Sequence, residues 1–252
     1  MKKPVISIQK VGMDFKIPLE SSSSLKEYLI QTMQGKKKYR TLKALDSITL
    51  DIYQGEVLGI IGTNGSGKST LLKIISGALE PTRGRVVADT SKMQLLTLGT
   101  GFDKELTARE NVYLNGAILG YSREFIRRKY NRIVEFAELE GFMEQKIKNF
   151  SSGMVSRLGF AVATARETPG ILILDEILSV GDAFFKEKSK ARIQEMIQSK
   201  ATVLLVSHSA DTIIRNCTRA LWLEKGVQKM TGTPREVCQA YLEYGQQKGK
   251  RP

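Results

Sequence analysis

The chain has 252 residues, enough at ~150 residues per domain for one or two domains with a real core. Hydrophobic residues at 41% and charged residues at 26% fit a folded soluble protein and exclude collagen-like, disulfide-stapled and disordered chains. The formal charge of +13 points to an anionic partner, but residues 1–43 alone hold ten Lys or Arg against Asp14, Glu20 and Glu27, and Lys248, Lys250 and Arg251 crowd the other end, so a nucleic-acid groove through the middle is not expected.

The start MKKPVISIQK lacks the long apolar stretch of a signal peptide, and no apolar run reaches the ~18 residues that span a bilayer. Val5 to Val11 is predicted as a strand, followed by a Pro/Ser-rich break from Ile17 to Ser24. In Leu25 to Met33 the apolar Leu25, Leu29, Ile30 and Met33 recur at helical spacing, before a basic run from Gly35 to Arg40. This reads as an amphipathic surface helix, either a plain solvated excursion or a contact for anionic headgroups.

From Leu45 short β-rich stretches lead to Glu56–Ile61, an apolar run of the length of a buried parallel strand. A glycine-rich turn follows, and then Leu71, Leu72, Ile74, Ile75 and Leu79 repeat like the inner face of a helix that stops before Pro81. Three helical patterns then run from 107 to about 168 with no strand among them. Thr107 and Glu110 have capping-box spacing, Ser122 can cap the second helix, and Ser151 or Ser152 the third, whose Met154, Leu158, Ala161, Val162 and Ala165 share a face. Ile171 to Leu174 and Val203 to Val206 resume the buried-strand signature, separated by a helical stretch from Ala183 to Ser199. Thr233, Pro234 and Glu236 again mark a helix start. The expected organisation is one domain over 1–244, an α/β core (about 1–98 and 169–244) interrupted by a helical subdomain (about 103–168), with 245–252 a disordered tail. Cys217 and Cys238 show neither disulfide nor zinc spacing.

The chemistry is concentrated in three places. Gly62-Thr63-Asn64-Gly65-Ser66-Gly67-Lys68-Ser69 matches the phosphate-loop pattern, between a buried strand and a helix as that pattern requires. The glycines let backbone N–H groups face phosphate oxygens, the helix start adds its positive dipole end, Lys68 suits the β- and γ-phosphates, and the Ser69 hydroxyl suits Mg²⁺. Next, Ile171-Leu-Ile-Leu-Asp175-Glu176 is a strand delivering two carboxylates at its C-terminal end, where ligands gather in open α/β sheets. Asp175 suits direct or indirect Mg²⁺ coordination and Glu176 a general base for the attacking water. Finally His208, the only histidine, follows another core strand at the same edge, where it can sense a γ-phosphate.

With these motifs in this order, the chain resembles the nucleotide-binding subunit of an ATP-binding cassette transporter from about Val5 to Leu242. FSSGM at Phe150–Met154 stands where that family carries LSGGQ, and Ser179-Val-Gly-Asp182 looks like its D-loop. The resemblance implies an α/β P-loop NTPase cassette with a mixed β core and a helical signature-motif subdomain. It implies ATP and Mg²⁺ as ligands, bound by Gly62–Ser69 with Thr70, and a homodimer in which Ser151 and Gly153 of one copy reach the γ-phosphate held by the other, with Asp182 nearby. Phe15 falls where the family stacks an aromatic on adenine, although a plain core aromatic fits as well. Ser152 and Met154 depart from the signature, and the family's glutamine ahead of the helical insertion is missing: its place falls near Thr97–Gly99, while Gln94 comes earlier, inside the preceding strand. These departures, with LTARENVYLNG and the long excursion after Phe15, look like the subfamily exporting lipid-linked polysaccharides, O-antigens and teichoic acids. The implied protein is an ATPase subunit, peripheral on the cytoplasmic face of the cell membrane, powering a separate polytopic permease whose coupling helices enter near Thr97–Glu110. The rival is a soluble cassette ATPase acting on nucleic acid or regulating a cell-envelope machine; the absence of heptad runs and of a second cassette weighs against it.

Overall fold

The strands that read as unbroken apolar runs form the centre of a six-stranded sheet. A computed structural model describes residues 3–18, 39–96, 101–166, 170–175, 183–199 and 201–249. The helix expected at 25–33, the place of the missing glutamine at 97–99, Glu176 and the segment 179–182 with Asp182 lie outside the described residues.

β3 (Val57–Ile61), β6 (Ile171–Asp175) and β7 (Thr202–Val206) lie side by side in parallel, with β5 (Met93–Leu96) beyond β6 and β8 (Arg219–Glu224) beyond β3. β9 (Val227–Gly232) closes that edge antiparallel. Side chains alternate across a strand, so apolar runs serve two cores at once. Leu58, Ile60, Ile173, Leu204 and Val206 point to one core, which also takes in α1 (Lys68–Ile75). Ile61, Leu172, Leu174, Val203 and Leu205 point to the other, with Phe185, Ile193 and Met196 of α5 (Ala183–Gln198), Ile213 of α6 (Ala210–Asn216), and Val237 and Cys238 of α7 (Pro234–Gly249).

A second, antiparallel sheet packs on the first core: β2 (Tyr39–Ile52), β1 (Ile6–Pro18) and β4 (Arg83–Ala88), in that order. β1 extends well beyond the predicted Val5–Val11, through Phe15 and into the expected break. The reason is local: Lys10 (φ 49°) and Ser47 (φ 57°) adopt left-handed conformations at register shifts between β1 and β2. Each bulge resets the apolar alternation, so the continuation does not read as one strand.

The helical insertion forms as expected, from α2 (Ala108–Ile118), α3 (Arg123–Ala137) and α4 (Ser152–Ala163) around a separate apolar cluster that includes Val112, Ile126, Ile133, Leu158 and Val162. Its entry is built by the LTAREN segment. Thr107 and Glu110 form a full capping box, and the fully buried Asn111 donates to the Asp103, Leu106 and Thr107 carbonyls while its Oδ1 accepts from the Asp103 N–H at 2.8 Å. Ser122 caps α3, and Ser151 rather than Ser152 caps α4. At the other end of the chain α7 continues to Gly249, past the point where a disordered tail was expected. Tyr241 and Tyr244 hold it there, with ring centroids 5.9 and 5.1 Å from Trp222 on β8.

Gln94 joins the sheet to the helical insertion. It lies on β5, almost fully buried, and its amide nitrogen donates to the Tyr121 hydroxyl at 2.6 Å and to the Ala163 carbonyl at the end of α4. Burial pushes the Tyr121 phenol up to about 12, so it remains a proton donor, directed at the same carbonyl, throughout the working pH range. Gln94→Leu roughly keeps the volume but leaves the buried Tyr121 hydroxyl without its donor and the Ala163 carbonyl with Tyr121 alone. It is expected to cost about 1–3 kcal/mol, read as a fall in the thermal unfolding midpoint of the full chain; an unchanged midpoint contradicts this role.

Candidate functional site

The phosphate loop is shaped by close backbone packing at two of its glycines. β3 ends at Gly62, where a Cβ would lie 2.2 Å from the Leu223 carbonyl oxygen of β8. Gly67 has φ 103°, and a Cβ there would meet the Ala44 carbonyl oxygen at 2.7 Å. No side chain other than hydrogen fits either place, and the left-handed turn at Gly67 is one that only glycine adopts without strain. Gly67 is also the N-cap of α1 and offers no capping side chain, so the first N–H groups of that helix are available to an anionic ligand.

Lys68 opens the helix with its side chain turned back over the loop. Its ammonium donates to the Gly62 and Thr63 carbonyls at 2.8 and 3.0 Å, and the residue is only 7% exposed. The positive charge is thereby held inside the curl of the loop, where the β- and γ-phosphates of a nucleotide would come to rest.

A cavity of about 810 Å³ opens over this loop. Asn64 to Thr70 form its floor, Phe15 and Leu42–Ala44 of the β1–β2 pair one wall, and Asp175 and Lys225 the rim. The structure therefore brings together the predicted loop, the predicted adenine-stacking aromatic and the predicted metal carboxylate. Phe15 lines this cavity and also packs partly against the core. Leu42 reaches the cavity because β1 and β2 place it directly opposite Phe15, a pairing hidden by the bulges. Lys225 comes from the tight turn between β8 and β9, in which Lys225 (φ 50°) and Gly226 (φ 78°) are both left-handed. Lys-Gly between two strands is a hairpin signal in the sequence, but nothing there tells which loop the turn will face.

Strand order explains why residues more than a hundred positions apart share one edge. β6, β7 and β3 are neighbours, so Asp175, His208 and Gly62 all follow the C-terminal ends of adjacent parallel strands. Asp175 is partly buried and lines the cavity; His208 is exposed and does not. Ser69 and Asp175 supply a hydroxyl and a carboxylate to one space, a hard-oxygen donor set suited to Mg²⁺ bridging to phosphate oxygens. No group of three or more His, Cys, Asp or Glu able to hold a metal occurs among the described residues.

Ser151 and Gly153 are not at this cavity. Ser151 accepts a hydrogen bond from the Met154 N–H at 3.2 Å and so fixes the start of α4, while a Cβ at Gly153 would meet nothing closer than the Ser151 Oγ at 3.8 Å. The segment is an open helix N-terminus. Gln94 is likewise remote, committed to the joint with the helical insertion.

The chain is similar to known proteins over nearly its whole length. The sequence pattern of the family described as ABC transporter matches residues 45–179. An ABC transporter protein of Aeromonas salmonicida is 39% identical over 96% of this chain and 77% of its own length. An O-antigen export system ATP-binding protein of Klebsiella pneumoniae is 36% identical, covering 96% of this chain and 98% of that protein. A teichoic acids export ATP-binding protein of Listeria monocytogenes is 36% identical over 98% of this chain and 72% of its own length. Among solved structures, a dimeric ATP-binding cassette in a post-hydrolysis state with ADP and phosphate bound shares the fold, with a TM-score of 0.67 and 24% identity over 91% of this chain and 99% of that one.

Proposed function

Because the chain belongs to the ABC transporter family of ATP-hydrolysing cassettes, we propose that it powers export of a lipid-linked cell-surface polysaccharide or teichoic acid through a separate membrane permease. The observation that carries the reading is the shared cavity: phosphate loop, Phe15, Ser69 and Asp175 form one nucleotide-sized space at the sheet edge. Similarity along nearly the whole chain to ATP-binding proteins named for O-antigen and teichoic acid export supports the class of cargo.

In this reading ATP lies with its base against Phe15 and its phosphates on the N–H groups of Gly65 to Ser69. Lys68 leaves the Gly62 and Thr63 carbonyls to neutralise the β- and γ-phosphate oxygens. Ser69 and Asp175 would hold Mg²⁺, which would supply charge neutralisation to the phosphates. Glu176, the residue after Asp175, takes the proton of the water that attacks the γ-phosphate, and His208 at the end of β7 contacts that phosphate once the site closes. A second copy of the chain completes the site. Its Ser151 and Gly153, at the open start of α4, bring helix N–H groups to the γ-phosphate, with Asp182 at the seam between copies. Hydrolysis removes the bridging phosphate and lets the copies separate, a cycle that can drive a permease bound near 97–110. The charge of the basic run 35–40 suits attraction to the permease or to the anionic headgroups around it.

No helix among the described residues is long and apolar enough to cross a membrane, so the path for cargo is assigned to the partner. The test is mass-spectrometric identification of what co-purifies with the tagged chain from gently solubilised cells. A stoichiometric polytopic membrane protein is the expected result. Recovery with nucleic acid or ribosomes, and no membrane protein, overturns the transport reading.

A further inference from the structure

We propose that Glu224 is a positioning residue of the ATPase, holding the mouth of the phosphate loop in register through Thr63 and tying it to the C-terminal helix. The inference rests on 62–70 being the ATP phosphate loop.

β8 and the turn after it run alongside the loop, residue against residue. Gly62 packs directly on the Leu223 carbonyl. The next residue, Thr63, donates its hydroxyl to Glu224 Oε2 at 3.2 Å. The Gly226 N–H donates to the Ser66 carbonyl at 2.9 Å, and the Gly226 carbonyl accepts from the Asp46 N–H at 2.8 Å. A Cβ at Gly226 would lie 2.6 Å from the Ala44 carbonyl oxygen, the same atom that excludes a side chain at Gly67. The turn is thus wedged between the loop and the β2 wall of the nucleotide cavity, and Lys225 reaches the rim from it.

Glu224 is the unusual member of this set. Its side chain is 2% exposed, in a strand whose other residues are apolar apart from Arg219 at the start. A carboxylate is costly to bury and is retained where its hydrogen bonds serve a purpose. Here one oxygen holds Thr63, and the other lies 3.5 Å from the Tyr244 hydroxyl of α7. Thr63 itself is exposed, so its side chain has little packing to do. Its carbonyl is one of the two that hold the Lys68 ammonium at rest. A shift of Thr63 therefore moves a backbone group that Lys68 must leave when phosphate arrives. Movement of α7 against β8 reaches the loop by the same route.

The test is a double-mutant cycle on the full chain, read as the dissociation constant for Mg-ATP and as KM and kcat. Thr63→Val and Glu224→Leu are each expected to weaken ATP binding by about tenfold, the loss of one hydrogen bond to a charged group. The double variant is expected to be no weaker than either single one. KM rises while kcat at saturating ATP holds, and Thr63→Ser, which keeps the hydroxyl, restores the affinity. General loosening of the fold would lower kcat as well. If Glu224→Leu does not fold, the Thr63→Val and Thr63→Ser pair, at an exposed position, carries the test alone. Lys68→Ala separates the two levels of the argument. Unchanged ATP affinity in Lys68→Ala overturns the loop reading and this proposal with it. Loss in Lys68→Ala together with unchanged affinity in Thr63→Val, or with additive effects in the cycle, overturns the role of Glu224 alone.

Discussion

Lys68→Ala is expected to abolish measurable ATP binding and to lower hydrolysis on the order of 10²- to 10³-fold, the scale seen when one preorganised donor to a developing charge is removed. The residue is 7% exposed and its ammonium is held by two loop carbonyls, so the charge is already in place before phosphate enters and needs only a short transfer. Its removal also leaves the Gly62 and Thr63 carbonyls without that donor, a loss of about 1–3 kcal/mol in stability. Calorimetric titration with Mg-ATP, beside a thermal melt without nucleotide, separates the two effects. The melt should move by a few degrees while binding disappears. Near-normal affinity would mean that the phosphates lie elsewhere.

Glu176→Gln is expected to behave in the opposite way, with hydrolysis down by about 10²- to 10⁴-fold, the range for loss of a general base, and ATP affinity retained. Glutamine has the shape of glutamate but does not accept a proton at neutral pH, so the change removes the chemistry and leaves the volume. Glu176 follows in sequence Asp175, which lines the cavity from the end of β6 at the edge shared with Gly62. On the proposed dimer, ATP is expected to stay bound between two copies once hydrolysis is blocked. Sedimentation should therefore show an ATP-dependent dimer in Glu176→Gln and none in Lys68→Ala. A variant that still hydrolyses ATP at the native rate would remove Glu176 from the mechanism.

The site on which these expectations rest is partly legible in the sequence. The strand, glycine turn and helix at 57–75 were legible because a run of five buried residues, three glycines and a helical apolar face stand next to each other. The capping boxes at Thr107 and Thr233 were legible because they depend only on residues three apart. What could not be read depends on pairing between distant strands. Phe15 meets the cavity only because β1 runs on past the bulge at Lys10, and Leu42 only because β2 lies opposite. Glu224 gave no signal at all. An acidic residue before Lys-Gly reads as the exposed end of a hairpin, and only the parallel pairing of β3 with β8 buries it beside Thr63.

The central claim, that ATP hydrolysis by this chain drives a lipid-linked polymer across the membrane, is tested most directly by following that polymer in cells. With radiolabelled sugar precursor, cells whose only copy of the chain is Glu176→Gln should make the polymer, hold it on its lipid carrier on the inner side, and show none at the surface. Normal surface polymer in those cells would contradict the claim.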